Sequence, residues 1–169
     1  FEEWEQLYKK LVFWELELEG SNDSTMSEIL EAQKSEANQQ FGKFIERSYP
    51  GWFEDYQAPV MSHTLFKEKI AGTLNTNQPT LLVVIDNLRY DQWKALEPSI
   101  NTYYKVQEDS LYFSILPTAT QYARNAIFSG LMPSEMEKLF PQYWRNDNDE
   151  GGKNLYEAQF LEAQLKRLG

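Results

Sequence analysis

The chain has no cysteine and one histidine, His63. Disulfides, thiolate nucleophiles and Cys-ligated zinc are thereby excluded, and a cytoplasmic location is expected. No second histidine or carboxylate lies at ligand spacing from His63, so a surface or capping role is expected of it. Positive charge is also short. Lys and Arg number 16 against 26 Asp and Glu, a net charge of −10. Nonspecific duplex binding needs cations to replace counterions, and this balance argues against it. A phosphate ligand stays open, because a bound metal reverses the field locally. The longest apolar run, Leu81 to Ile85, is too short for a bilayer span, and no signal peptide is visible. The first residue is Phe1, already inside a helical pattern, so the chain reads as part of something longer.

What is present is a folding composition. Of 169 residues 41% are apolar, 15% aromatic and 25% charged; that suits one ordinary domain or two small ones. Residues 1–75 read as a helical bundle. Phe1, Trp4, Leu7, Tyr8, Leu11, Trp14 and Leu18 recur at three- and four-residue steps, one helix face. Gly20-Ser21-Asn22-Asp23 breaks it. Thr25-Met26-Ser27-Glu28 matches a capping box, opening a helix with Met26, Ile29, Leu30, Ala37, Phe41, Phe44 and Ile45 on its apolar face. Ser62 can cap a third helix carrying Leu65, Phe66, Ile70 and Leu74. Three such helices make a packing and linker module; a signal-transmitting, dimerising bundle is the other reading.

Residues 76–169 read differently. The run 80–85 is aliphatic and β-branched, as a central strand of a covered parallel sheet would be. Residues 92–96 look helical up to Pro98. Residues 103–106 and 110–115 read as further strands. Gln121 to Ser129 reads as a helix ended by Gly130, and 135–143 as another short helix. Residues 145–152 form an acidic, Asn-rich loop, expected to be mobile. An amphipathic helix over 155–168 closes the chain through Leu155, Phe160, Leu161, Leu165 and Leu168. The fold class expected is α+β: a helical bundle followed by the first part of an α/β domain.

Two junctions could carry chemistry. Asp86 follows the 80–85 run, and ligands of open α/β sheets gather at carboxyl ends of strands. It can hold a metal or cap the next helix; Asp91 is the better cap, and Arg89 can pair with either. In Pro117-Thr118-Ala119-Thr120-Gln121, Thr118 and Gln121 fit a capping box. That leaves Thr120 at a helix N-terminus, where free amides and the dipole favour an anion. The dipole is worth only about 0.3–1 kcal/mol at an exposed site, too little to ionise a hydroxyl. A nucleophilic Thr120 therefore requires a divalent metal beside it. If Asp86 and Thr118 are only helix caps, no site exists.

Leu81-Leu82-Val83-Val84-Ile85-Asp86-Asn87-Leu88-Arg89-Tyr90-Asp91 resembles the first motif of the PglZ domain, a branch of the alkaline phosphatase superfamily. Pro117-Thr118-Ala119-Thr120, with Ser129-Gly130-Leu131-Met132-Pro133 after it, resembles the second. With the helical region ahead of it, the whole chain is similar to response regulators of the PorX type, which are linked to type IX secretion. The resemblance implies two zinc ions and hydrolysis of phosphodiesters, oligonucleotides among them. It implies Asp86 as the first metal-binding aspartate and Thr120 as nucleophile and metal contact, with Thr118 second in line. It also implies a sensor kinase and a receiver domain as partners in the intact protein, and a possible homodimer. The family's remaining Asp and His ligands come from a later part of its catalytic domain, which this sequence does not contain. The polypeptide alone is thus expected to be inactive, a partial PglZ domain with an uncovered sheet edge.

Overall fold

The computed structural model describes residues 1–21, 23–54, 58–74 and 77–169. Asn22 of the first break and the 75–76 end of the expected bundle lie outside these residues. The chain forms two compact units, each drawn from two stretches: Phe1–Pro59 with Asn87–Leu111, and Val60–Asp86 with Tyr112–Gly169.

In the first unit, α1 (Glu2–Glu19) packs on α2 (Ser24–Ser48). Glu2, Glu3 and Glu5 place negative charge in the first turn of α1, where the helix dipole favours it. The cap of α2 is Asp23, whose carboxylate accepts from the Met26 amide at 3.1 Å. The helix therefore starts ahead of the Thr25–Glu28 box. A 3₁₀ turn, Tyr49–Phe53, follows directly. Trp4 meets Phe41 at 5.2 Å and Phe44 at 5.6 Å between ring centroids, and Trp52, 7% exposed, meets Phe1 at 5.5 Å and Phe44 at 5.8 Å. Each such pair adds about 0.5–1.5 kcal/mol beyond its area burial. Lys34 of α2 reaches back to Glu15 of α1 at 2.7 Å.

The third helix of this unit is α3 (Tyr90–Ile100), which runs through Pro98. The sequence expectation ended it there, because proline has no amide for the carbonyl four residues back. Around that one lost bond the helix closes normally, with the Asn101 amide on the Glu97 carbonyl at 2.8 Å. Asp109 anchors α3: Lys94 lies at 2.6 Å, the Tyr90 hydroxyl at 3.1 Å and Lys9 at 3.8 Å. Hydrogen bonds to Asp109 and then Glu97 hold the Lys94 ammonium above its ordinary range.

The second unit overturns the expected fold class. Among the described residues there is no β-strand and no sheet; one parallel bridge joins Met61 to Phe113. The chain is mostly helical, not α+β, and the described residues contain no α/β sheet. The 80–85 run has no ladder partner there, and Leu81, Val83 and Ile85 are 86, 64 and 60% exposed. Apolar composition marked a segment suited to burial, but a strand forms only against another strand. Residues 103–106 are likewise unpaired, and Tyr103 and Tyr104 stand in solvent. In the 110–115 run only Phe113 pairs. Its partner is Met61, with the Phe113 amide on the Val60 carbonyl at 2.9 Å.

Ser62 is not a helix cap. It is fully buried, and its hydroxyl accepts from the buried Ile115 amide at 3.1 Å. In place of a third bundle helix there is a π-helical turn, Phe66–Ile70, and a 3₁₀ turn, Ala71–Thr73. The core forms around three further helices: α4 (Thr120–Ser129), α5 (Pro133–Leu139) and α6 (Glu157–Leu168). Ile115, Ala126, Met136 and Phe160 are almost wholly buried. Gly130 ends α4 in the left-handed region at φ +64°, a conformation glycine adopts without penalty. The acidic loop carries hydrogen bonds of its own. The Asn146 amide donates to Asp149 at 2.6 Å, Tyr122 to Asp147 at 2.8 Å, and Lys153 to the Asn146 carbonyl at 2.6 Å.

His63 sits half-buried in the turn after Ser62. Loss of solvent pushes its pKa below the usual 6.5, with Glu135 partly opposing. A histidine kept neutral in the folded state contributes stability that is present at high pH and is lost as pH falls below the unfolded value. It is the sole histidine, so the slope between about pH 7 and pH 5.5 belongs chiefly to it. Urea denaturation across that window is expected to show stability falling with pH, and His63→Gln is expected to flatten the curve. An unchanged slope would remove His63 as its source.

Candidate functional site

Thr120 is the first residue of α4. Met132 and Pro133 beyond Gly130 begin α5, so α4 is bounded sharply at both ends. The position before Thr120 is Ala119, and no side chain caps the helix. The expected Thr118–Gln121 capping box does not form. Thr118 lies exposed in the segment before α4, just past the cis Leu116–Pro117 peptide, and Gln121 Nε2 instead donates to the Arg145 carbonyl at 2.7 Å. The first amides of α4 are thus not occupied by a side-chain cap. Thr120 itself is half-buried.

Asp86 belongs to the same unit as α4. Its carboxylate accepts from Arg124 Nη1 at 2.8 Å. Arg124 also donates from Nε to Glu157, in the first turn of α6. Residues four apart on a helix are neighbours on one face, so Arg124 lies one turn along from Thr120 on the same side of α4. Asp86 is thus tied to α4 through Arg124, four residues beyond Thr120. Arg89 and Asp91 take no part: they lie in the first unit and pair with each other, at 3.0 and 2.6 Å. Asp91 does not cap α3; Gln92 does, accepting from the Arg89 amide at 3.0 Å.

Behind Thr120 lies an amide pair, Asn125 buried and Asn154 half-buried. Asn154 Nδ2 donates to the Thr120 carbonyl at 3.1 Å and to Asn125 Oδ1 at 3.0 Å. Asn125 Nδ2 donates to the Lys153 carbonyl at 3.0 Å. Neither Arg124 nor Asn154 was singled out from sequence. Arg124 carried a usable signal, the four-residue step from Thr120. Asn154 carried none, since its partner lies 34 residues away.

A catalytic zinc ordinarily takes three protein ligands. Among the described residues no group of three or more His, Asp or Glu side chains converges. Asp86 and Thr120 supply one carboxylate and one hydroxyl, with a guanidinium against the carboxylate. These residues do not by themselves fit a complete zinc centre. What the arrangement offers is a helix-start hydroxyl with open amides, an arginine one turn on, and two carboxylates flanking that arginine.

The Asp86 side chain is 52% exposed, and exposed pairs contribute little. A double-mutant cycle of Asp86→Asn and Arg124→Met, read by urea denaturation, is expected to give a coupling of about 0.2–1 kcal/mol that shrinks with salt. A coupling well above that, insensitive to salt, would show the pair shielded from solvent.

Residues 1–53 match the PorX response regulator linker domain. Residues 65–167 match the BREX system PglZ alkaline phosphatase-like domain, well over half of the chain. A comparison with curated proteins finds no match. No described helix is long and apolar enough to cross a membrane. On the extent of the second match, the chain belongs to the PglZ alkaline phosphatase-like family, joined to a linker of the PorX response-regulator type.

Proposed function

We propose that the protein hydrolyses phosphodiesters of the oligonucleotide type, with Thr120 as nucleophile. Membership in an alkaline phosphatase-like family supports phosphoester chemistry. The observation that supports the residue assignment is the Arg124–Asp86 contact, which ties that carboxylate to the helix that Thr120 begins. A phosphoryl group at the start of α4 would meet open amides and the positive end of the helix dipole. Arg124, freed from a carboxylate, presents a planar fork suited to phosphate oxygens. The Thr120 Oγ–phosphorus bond forms as the bond to the leaving alcohol breaks. The hydroxyl proton leaves through solvent to the departing oxygen, and water then releases the phosphoryl group from Thr120.

Two zinc ions form part of this proposal. Asp86 is the one carboxylate assigned to them and Thr120 Oγ the second contact; the remaining ligands are not among the described residues. Their chemistry would be to lower the hydroxyl's pKa and offset phosphoryl charge. The linker match supports a place in a response regulator; a sensor kinase and receiver domain upstream of it, and coupling to type IX secretion, are parts of the proposal. A homodimer formed through α1 is favoured by its exposed aromatics: Phe13 and Trp14 are each about half exposed.

In the full-length protein supplied with zinc, Thr120→Ala is expected to abolish turnover of bis(p-nitrophenyl) phosphate while the thermal midpoint stays near that of the parent. Thr118→Ala is expected to keep most of the turnover. Activity surviving in Thr120→Ala would remove it as the nucleophile.

A further inference from the structure

We infer that Asn154 is a positioning residue for Thr120, acting through the main chain of α4 with Asn125 as its brace. This rests on the assignment of Thr120 as nucleophile. The side-chain orientation follows from chemistry: backbone carbonyls only accept, so the NH₂ end of Asn154 must face the Thr120 carbonyl, and that of Asn125 must face the Lys153 carbonyl. The two amides then fit head to tail, with Asn154 Nδ2 on Asn125 Oδ1 at 3.0 Å. Asn125 is 1% exposed, and a buried polar network of this kind holds one geometry only while every member is satisfied.

The bond to Thr120 is not needed to satisfy an orphan group. A carbonyl in the first turn of an α-helix already accepts from the amide four residues on. Asn154 takes the second lone pair of that carbonyl and fixes the plane of the Thr120–Gln121 peptide. Threonine is β-branched, and its few χ1 wells are set by its own backbone. Fixing the backbone at 120 therefore fixes the direction in which Oγ points. The far end of α4 supplies a natural comparison. There Gln164, 2% exposed, donates to the Ile127 and Phe128 carbonyls at 3.0 and 2.8 Å. The same kind of amide staple holds α4 at both ends, and the one from Asn154 ends on the residue proposed to react.

The test uses the full-length, zinc-supplied protein with bis(p-nitrophenyl) phosphate. Asn154→Asp keeps the shape but turns an acceptor toward the Thr120 carbonyl. It is expected to lower kcat by roughly 10- to 100-fold with KM changed by less than about twofold, the signature of a misplaced reacting group. Gln164→Met loses the other staple and is expected to lower the thermal midpoint at least as much, with kcat within about twofold of the parent. If Asn154→Asp does not fold, Asn154→Ala is read the same way, because it removes the bond without adding charge. Asn154 variants whose kcat falls no further than that of Gln164→Met would overturn the positioning role while leaving Thr120 in place. Turnover surviving in Thr120→Ala would instead overturn the nucleophile assignment beneath it.

Discussion

The second unit depends on burying a helix that carries polar side chains. Asn125, Ser129 and, from α6, Gln164 are all nearly solvent-free in the seam between α4 and α6. An unsatisfied polar group in such a place costs about 1–3 kcal/mol. Every one of these three has a partner: Asn125 on the Lys153 carbonyl, Gln164 on the Ile127 and Phe128 carbonyls, Ser129 accepting from the Leu131 amide at 3.2 Å. Arg167 adds a bond to the Ser129 carbonyl. The donors all have definite directions, so α6 can dock on α4 in one register only. An apolar seam of the same area would bind as well but would tolerate sliding. Thr120 has its own tie at the other end of α4, where Asn154 in the segment before α6 donates to its carbonyl.

The first unit uses a different device. Its cohesion comes from aromatic rings of α1, α2 and the Tyr49–Phe53 turn, which pack at tilted and edge-on angles. Such contacts are individually tolerant of small shifts. The direction of α3 is fixed instead by charge, through Asp109 with Lys94, Tyr90 and Lys9. No reacting group in this unit requires sub-ångström placement. Residues 1–53 of this unit are the stretch that matches a response-regulator linker.

The sequence made the helices with clear punctuation legible. Gly130 stops α4 because its φ preference is local and leaves a residue-level mark; the short helix expected over 135–143 instead runs Pro133–Leu139, begun by the proline. Thr120 at a helix start was legible for the same reason. The sheet was misread because pairing is not local. The 80–85 run shows that its residues favour burial, and nothing in it says whether another strand will lie alongside. Pro98 was over-read: one missing hydrogen bond in the last turn of α3 is tolerated when the following amide still closes the helix. Gln164 was missed because a polar residue in an amphipathic pattern is assigned to the solvent side. Here it lies inside, since the carbonyls at the end of α4 need a donor.

Asp86 appears at first to be a poor candidate for a metal, being already tied to Arg124. Half of its side chain faces solvent, and an exposed ion pair of this kind is worth about 0.2–1 kcal/mol. A divalent cation at those oxygens, as the proposed chemistry would have it, would bring twice the charge, and Coulomb energy scales with charge. Displacing the guanidinium is therefore a small cost. Arg124 would not be stranded, because Glu157 still holds its Nε. Its Nη groups would then face the start of α4, where a phosphoryl oxygen would arrive. The ion pair thus need not compete with the proposed chemistry: releasing Asp86 to a cation and presenting Arg124 to an anion are one rearrangement of the same two side chains.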